Sequence, residues 1–442
     1  MTPVAPALDA VRTSPDPRSI AGIAGVGDPG ARLLAGPESR EGLADHLGRL
    51  GETRRWPPRA PELLQMIRQS GLTGRGGGHF PLARKVEAAL KGRGPAVVVV
   101  NGTESEPASA KDRLLLRLRP HLVIDGALTV AAACGATRVV IAVHAGSPAL
   151  TSVAAAIEER DDCATVGVAV VPDRYIAGES SALVSWLGGG RAAPASRTRP
   201  TAECGLDARP TVVSNTETVC HVGLLARFGD TWFRTAGSPA APGSLLVTLA
   251  GDVPDPGMVL EVVHPVRLPD LVDALCEPGY RWQAVLVGGY GGAWVDRVGA
   301  SRTLVQPGRG SHGSLGIGCG LIGVLGPGRC GLAEASRLVG WLAAQRAGQC
   351  GACSYGLPLV AEEMELVSGG GRGVRRSQRR VASLAHSVAG RGLCSLPDAT
   401  IAMAESALAV FTAEAELHRR GRCTAASRPG AFPLPVTRGA PA

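Results

Sequence analysis

Residues 71 to 85 read GLTGRGGGHFPLARK, with five glycines, one arginine and one proline in the first eleven positions. Glycine lets the main chain take positive φ and approach a ligand closely. Successive N–H groups ahead of a helix N-terminus make an anion site. Pro81 suits a first helical turn, and Leu82, Val86, Ala89 and Leu90 follow at helical spacing. The stretch therefore predicts a phosphate or dinucleotide cradle opening a helix, with Arg75 and Lys85 adding charge at its ends. The competing reading is a plain linker, since the chain holds 60 glycines. The usual dinucleotide fingerprint also has its strand before the glycines, whereas here the apolar run AVVVV comes after them.

Of 46 basic residues only Lys85, Lys91 and Lys111 are lysines. Arginine and lysine differ in shape and hydration, so a lysine kept after the glycine loop, and another in NGTESEPASAKDR (Asn101 to Arg113), marks positions suited to a compact ammonium.

Working outward, residues 59–237 alternate between Val/Ile-rich strands and helices, the pattern of a doubly wound α/β domain covered on both faces. Ligands of such sheets sit beyond the strand C-termini, where Asn101 and the Tyr175 to Ser181 segment fall. Residues 243–330 hold short strands around one helix, a small α+β module. Residues 331–422 show four helical stretches and no strand, a helical bundle. Residues 1–58 read as a poorly ordered extension and 423–442 as a disordered tail.

At 45% hydrophobic and 19% charged residues, the 442-residue chain is that of a globular protein. No apolar run reaches the roughly 18 residues of a membrane span, and no secretory signal is visible, so a cytoplasmic location is expected. The net charge of +8 is modest and aromatics are 3%, which leaves few stacking platforms for nucleic acid. The run RGVRRSQRR (Arg372 to Arg380) reads as a solvated face.

Eleven cysteines, an odd number and mostly far apart, argue against a disulfide framework. QCGACSYG places Cys350 and Cys353 two residues apart and GLCSLPD supplies Cys394. Two paired thiolates and a distant third suit zinc or an iron–sulfur cluster; a redox-active pair and coincidence are the alternatives. No role follows from the sequence for Cys204, Cys319 or Cys330.

Together these motifs resemble the flavin-carrying 51-kDa subunit of NADH:ubiquinone oxidoreductase and its relatives in NAD-linked hydrogenases and formate dehydrogenases. The matching segments are GLTGRGGGHFPLARK, NGTESEPASAKDR, RPHLVIDG (Arg119 to Gly126), RYIAGESSAL (Arg174 to Leu183), PTVVSNTET (Pro210 to Thr218), QCGACSYG and LCSLPDA (Leu393 to Ala399), in the family's order over about residues 60 to 420. The resemblance implies a Rossmann-like FMN domain, a ubiquitin-like SLBB module and a helical domain carrying a 4Fe–4S cluster. It further implies an oxidoreductase subunit in which NADH passes a hydride to FMN and single electrons leave through the cluster. Cofactors would be FMN, the cluster and NAD; partners would be other redox subunits, a ferredoxin-like protein or a membrane acceptor on another chain.

By the same resemblance Gly74, Arg75, Gly76, Gly77, Gly78, Phe80 and Lys85 would hold the flavin phosphate and the stacked nicotinamide nucleotide. Asn101, Glu104, Glu106, Tyr175, Gly178, Glu179, Ser214 and Asn215 fall where the family contacts flavin or NADH. Several positions depart from the family pattern, and of the aromatics that sandwich NADH in the family only Phe80 remains, with Pro200 standing near one lost position. Thr103 and Ser180 replace acidic residues, Ser214 replaces an asparagine, and Gly356 stands where the family has its third cluster cysteine. Cys350, Cys353 and Cys394 are then one ligand short of the usual four, and Cys423 is the candidate substitute. The alternative from another class is a degenerate relative, a metal-stabilised assembly module without NADH oxidation.

Overall fold

The computed structural model describes residues 21–196, 199–276, 279–308, 310, 315–425 and 430–435. Its organising element is a four-stranded parallel sheet, in the order Val166–Val171, Ala136–His144, Ala96–Gly102, Thr211–Asn215. Successive side chains of a strand leave opposite faces. Ala96, Val98 and Val100 accordingly enter one core with Ile141, Val143 and Val212. Val97 and Val99 enter another with Val140, Ala142 and Val213. Both faces are covered, which is why AVVVV reads as an unbroken apolar run.

The flanking helices start and stop where proline and glycine dictate. Pro61 opens Pro61–Ser70 and Pro120 opens Pro120–Cys134, and each ends on a left-handed glycine, Gly71 and Gly135. Asn101 and Asn215 pair across the neighbouring strands Ala96–Gly102 and Thr211–Asn215, the latter at the sheet edge, near their C-terminal ends. Asn215 also caps the helix Thr216–Phe233, its side chain accepting from Glu217 N–H. The strand ends and one helix N-terminus thus meet at a single rim.

A second, mixed sheet runs Ile23–Ala24, Val259–Val262, Leu245–Gly251, Leu321–Leu325, Ala284–Val287, Ala293–Val295. The helix Leu268–Leu275 covers one face with Leu268, Leu271 and Val272. The helical domain follows with five helices among the described residues: Gly331–Ala344, Leu357–Gly369, Val374–Val388, Leu396–Val410 and Thr412–Arg419. The basic run lies on the third of these, with Val374, Ser377 and Val381 turned inward. Among the described residues no helix is long and apolar enough to cross a membrane.

Both ends of the chain depart from the sequence reading. Within residues 21–50 the chain is packed rather than loosely ordered: Ile23 pairs with Val262, and Leu33 and Leu34 are buried. Buried Glu41 is gripped by Arg49 at 2.6 and 2.8 Å, while His46 reaches Asp125 of the Pro120–Cys134 helix at 2.6 Å. This ordering is tertiary, built from charges that no local periodicity reveals. Residues 430–435 also return to the core. Phe432 is 2% exposed and packs against Tyr290 and Trp294. Residues 1–20, 426–429 and 436–442 lie outside the described residues.

Candidate functional site

The glycine loop stands over the rim where the parallel strands end. Gly77 takes φ +100°, and a Cβ built on Gly76 would come within 3.1 Å of Asn215 Cβ. A Cβ on Gly77 would face the Gly318–Cys319 turn of the second sheet at 3.6 Å. On Gly78 it would meet nothing within 4 Å among the described residues. The loop is therefore held on one side by Asn215 and the Gly318–Cys319 turn and opens on the other, where Phe80 is 46% exposed.

The two charges placed around this loop behave differently. Arg75 does not face the open side. Its guanidinium is wholly buried, donates to Pro242 O (2.9 Å) and to Thr73 O and Oγ1, and is lowered to about 10 by burial. Arg75 is a clamp between the loop and the short strand Ala241–Pro242, which pairs with Gly237–Ser238, and this corrects its assignment to the phosphate. Lys85, from the helix Leu82–Lys91, donates Nζ to Val213 O at 2.9 Å, two residues before Asn215. Burial lowers its pKa. An ammonium has three donors, so Lys85 keeps N–H groups for an anion at the strand ends.

The polar cluster after Ala96–Gly102 is mostly committed to building the rim. Asn101 donates to Gly178 O at 2.8 Å, and its Oδ1 accepts from Thr103 Oγ1 at 2.7 Å. Glu104 accepts from the N–H groups of Asp112 and Arg113, capping the next helix. Glu179 caps Ser180–Leu187 through the N–H groups of Ser181 and Ala182. Ser214 is buried. Lys111, read as a position suited to a compact ammonium, is enclosed by Asp112 at 3.0 Å and Glu217 at 2.9 Å, so it ties the rim together.

Glu106 differs from these. One oxygen accepts from Tyr290 N–H at 3.1 Å, while Oε1 is buried without a hydrogen-bond partner. Burial chiefly, with Glu104 adding to it, pushes its carboxyl up to about 8. Gly289 keeps the spot narrow, for a Cβ there would stand 2.6 Å from Glu106 Oε2 and 2.9 Å from Cys319 Sγ. Tyr175 borders the same place, its ring edge-on to Trp341 at 5.3 Å, and Trp341 is edge-on to Tyr290 at 5.7 Å. Burial, together with Glu106, Cys319 and Cys394 around it, pushes the Tyr175 hydroxyl well above its ordinary value. Cys319 and Tyr290 are not legible as site residues in the sequence; a lone cysteine in a glycine-rich turn is the only signal.

Tyr175 leads to the cysteines. Cys353 is buried in one apolar cluster, and Cys350 and Cys394 pack against that same cluster; the Cys394 thiol is pushed up to about 11, first by burial and then by Glu179, Cys353 and Cys350. The fourth corner is closed: a Cβ on Gly356 would stand 2.5 Å from Val388 Cγ2. Cys423 does not replace it. It sits with Cys330, Glu414 and His418, and His418 bonds Val367 O near the far end of the Leu357–Gly369 helix. Ten helical residues separate Val367 from Leu357, about 15 Å, whereas Cys353 precedes the helix start.

These residues fit a flavin nucleotide by an open glycine loop, a lysine with donors left beyond its bond to Val213 O, and a buried carboxyl oxygen without a hydrogen-bond partner among the described residues. They fit an iron–sulfur cluster at three sulfur corners, while Val388 fills the space a side chain at Gly356 would take.

Residues 67–224 match the model of the Nuo51 FMN-binding domain, and residues 333–418 that of the NADH-ubiquinone oxidoreductase-F iron-sulfur binding region. The F subunit of NADH-quinone oxidoreductase from Streptomyces coelicolor is 29% identical over 378 residues, covering 82% of this chain and 84% of the relative. An NADP-reducing hydrogenase subunit of Solidesulfovibrio fructosivorans is 25% identical over 375 residues, 81% of this chain and 76% of the relative. Among solved structures, the air-oxidised NAD+-reducing [NiFe]-hydrogenase superposes with a TM-score of 0.74 at 26% identity. That match covers 84% of this chain and 64% of the hydrogenase chain, so this chain spans just under two thirds of the latter's length.

Proposed function

The chain belongs to the family of FMN-binding F subunits of NADH-quinone oxidoreductases, and we propose that it is an electron-transfer oxidoreductase subunit. It takes electrons from NADH or a similar donor and delivers them to a partner redox subunit, of ferredoxin-like or membrane-acceptor type. Bound FMN supplies exchange between hydride and single-electron chemistry, and a 4Fe–4S cluster supplies a one-electron station. The chain's own work is to bind, orient and exclude water.

In this reading the N–H groups of Gly76 and Gly77 and the remaining donors of Lys85 hold the phosphoryl end, with Asn215 as the wall behind, while the N–H groups of Gly74 and Arg75 fix the loop by donating to Phe80 O and Thr218 Oγ1. Glu106 keeps a proton at neutral pH and presents Oε1 as a hydrogen-bonding group to the ring system. Phe80 offers an exposed ring face for a stacked nicotinamide nucleotide. Cys350, Cys353 and Cys394 would hold the cluster, with no cysteine at Gly356 to complete the set. The sheet of residues 243–330 stands in for the SLBB module. The observation that carries the proposal is Tyr175, which packs with Cys350, Cys353 and Cys394 against one apolar cluster and meets Trp341 edge-on, the same ring that Tyr290 of the Glu106 pocket meets.

The second reading, a metal-stabilised assembly module, is favoured by Val388 filling the place of a fourth thiolate. Protein purified without oxygen decides between them. Flavin absorption over a broad brown shoulder, bleached by NADH, supports electron transfer; colourless protein that NADH leaves unchanged refutes it.

A further inference from the structure

Outside both candidate cofactor sites, one cluster of side chains has the composition and geometry of a metal centre. Among the described residues, the one set of three or more Cys, His, Asp or Glu with ligand atoms all within 4.8 Å of one another is Cys330, Glu414, His418 and Cys423. We propose that these four side chains bind a structural zinc ion that fastens the C-terminal segment to the start of the helical domain.

The distances agree with one ion at the centre. Zinc bonds of about 2.0–2.3 Å in a tetrahedron put neighbouring ligand atoms roughly 3.3–3.8 Å apart. Cys330 Sγ lies 3.4 Å from His418 Nε2, and Glu414 Oε1 lies 3.2 Å from the same nitrogen. Two sulfurs, an imidazole and a carboxylate form a donor set suited to zinc, and four protein ligands close the shell as in a structural site.

The groups behind these ligands are arranged for the same task. The carbonyl of Val367 can only accept, so His418 Nδ1, 3.2 Å away, carries the proton and Nε2 offers its lone pair inward. Glu414 is fixed by Thr424 N–H at 2.9 Å and Thr424 Oγ1 at 2.6 Å. Each sulfur accepts a backbone N–H, Cys330 from Ala333 at 3.3 Å and Cys423 from Ala425 at 3.4 Å, an arrangement that stabilises thiolate charge. Glu414 and His418 share one helix face at a spacing of four residues. Cys330 and His418 are buried while Cys423 reaches the surface, which leaves an ion a way in.

The site would join three segments distant in the sequence: the turn into Gly331–Ala344, the helix Thr412–Arg419, and the stretch beyond it that leads to Phe432. It is independent of the flavin reading, because the Cys350, Cys353 and Cys394 group lies at the opposite end of Leu357–Gly369.

Metal analysis of full-length protein purified without oxygen and dialysed after exposure to excess zinc tests the proposal. Zinc equimolar with the chain is expected, falling at least tenfold in Cys423→Ser and Cys330→Ser while iron and flavin contents stay as in wild type. Cobalt(II) in place of zinc should give intense tetrahedral d–d bands with thiolate-to-metal charge transfer, the latter weaker in Cys423→Ser. Wild-type protein that takes up no equimolar zinc and shows no such cobalt spectrum overturns the proposal. So does zinc retained unchanged in both variants, or a Cys330–Cys423 disulfide that persists in the anaerobic protein. If Cys330→Ser fails to fold, the cobalt spectra of wild type and the surface variant Cys423→Ser still decide.

Discussion

Val388 occupies the volume in which a side chain on Gly356 would lie, its Cγ2 standing 2.5 Å from the Cβ position of that glycine. Gly356 follows Cys353 at the same spacing by which Cys353 follows Cys350, but a neighbouring helix closes the position off. Gly356→Cys alone should therefore overpack the helical domain and lose about 1–3 kcal/mol. Combined with Val388→Ala, much of that loss should return, giving a clear coupling energy in a double-mutant cycle. Urea unfolding of the four proteins measures it; additive losses would show that the two side chains do not compete for space.

Glu106 predicts a pH dependence. Its carboxyl, raised from 4.5 to about 8 in the fold, keeps a proton between those values that the unfolded chain has released. Stability from this group is fully present below about pH 4.5 and is lost as pH rises through 8. Glu106→Gln keeps an oxygen for Tyr290 N–H and has no proton to lose. Apoprotein carrying it should show a stability slope between pH 5 and 8 that is shallower in its fall by up to about 1.4 kcal/mol per pH unit. Parallel slopes for wild type and variant would mean Glu106 is ionised throughout.

Much of the fold and part of the site are legible in the sequence, and the failures share a cause. The parallel sheet is legible because both faces are buried, which turns Ala96–Val100 into an apolar run with no polar alternation. The glycine loop is legible as a cradle, yet nothing local tells that Arg75 turns inward while Lys85 faces the rim. That choice is made by Pro242, whose carbonyl takes the guanidinium and lies 167 positions away. Cys330 and His418 are 88 positions apart, so the spacing rules that select Cys350 and Cys353 do not reach them. Packed polar groups in Gly- and Pro-rich segments, such as Glu41 and His46, leave no periodic trace.

Phe80 separates nucleotide stacking from flavin binding. Its ring is 46% exposed beside the open face of the glycine loop, so the fold asks little of it. Phe80→Ala should leave flavin content unchanged and raise the KM for NADH roughly tenfold, the worth of one aromatic stack at about 1–1.5 kcal/mol. Phe80→Trp should keep a wild-type KM. Steady-state kinetics with a soluble electron acceptor provides the check, and an unchanged KM in Phe80→Ala would place the nicotinamide elsewhere.

Phe432 anchors the end of the described chain to the junction between the mixed sheet and the helices. Its N–H donates to Glu334 Oε1 at 3.0 Å and its carbonyl accepts from Arg337 at 2.5 Å. Its ring lies over Gly251 and Gly323, where a Cβ on Gly251 would come within 2.9 Å of it and one on Gly323 closer still. Two glycines on adjacent strands thus form a slot for one ring. Phe432→Ala should cost about 3–5 kcal/mol, the usual penalty for emptying a buried aromatic site. Gly323→Ala should be strongly destabilising in wild type, because its methyl collides with the ring, and much less so in the Phe432→Ala background. Urea unfolding of the single and double variants measures that coupling. Equal penalties for Gly323→Ala in both backgrounds would mean that the ring does not occupy the slot in solution.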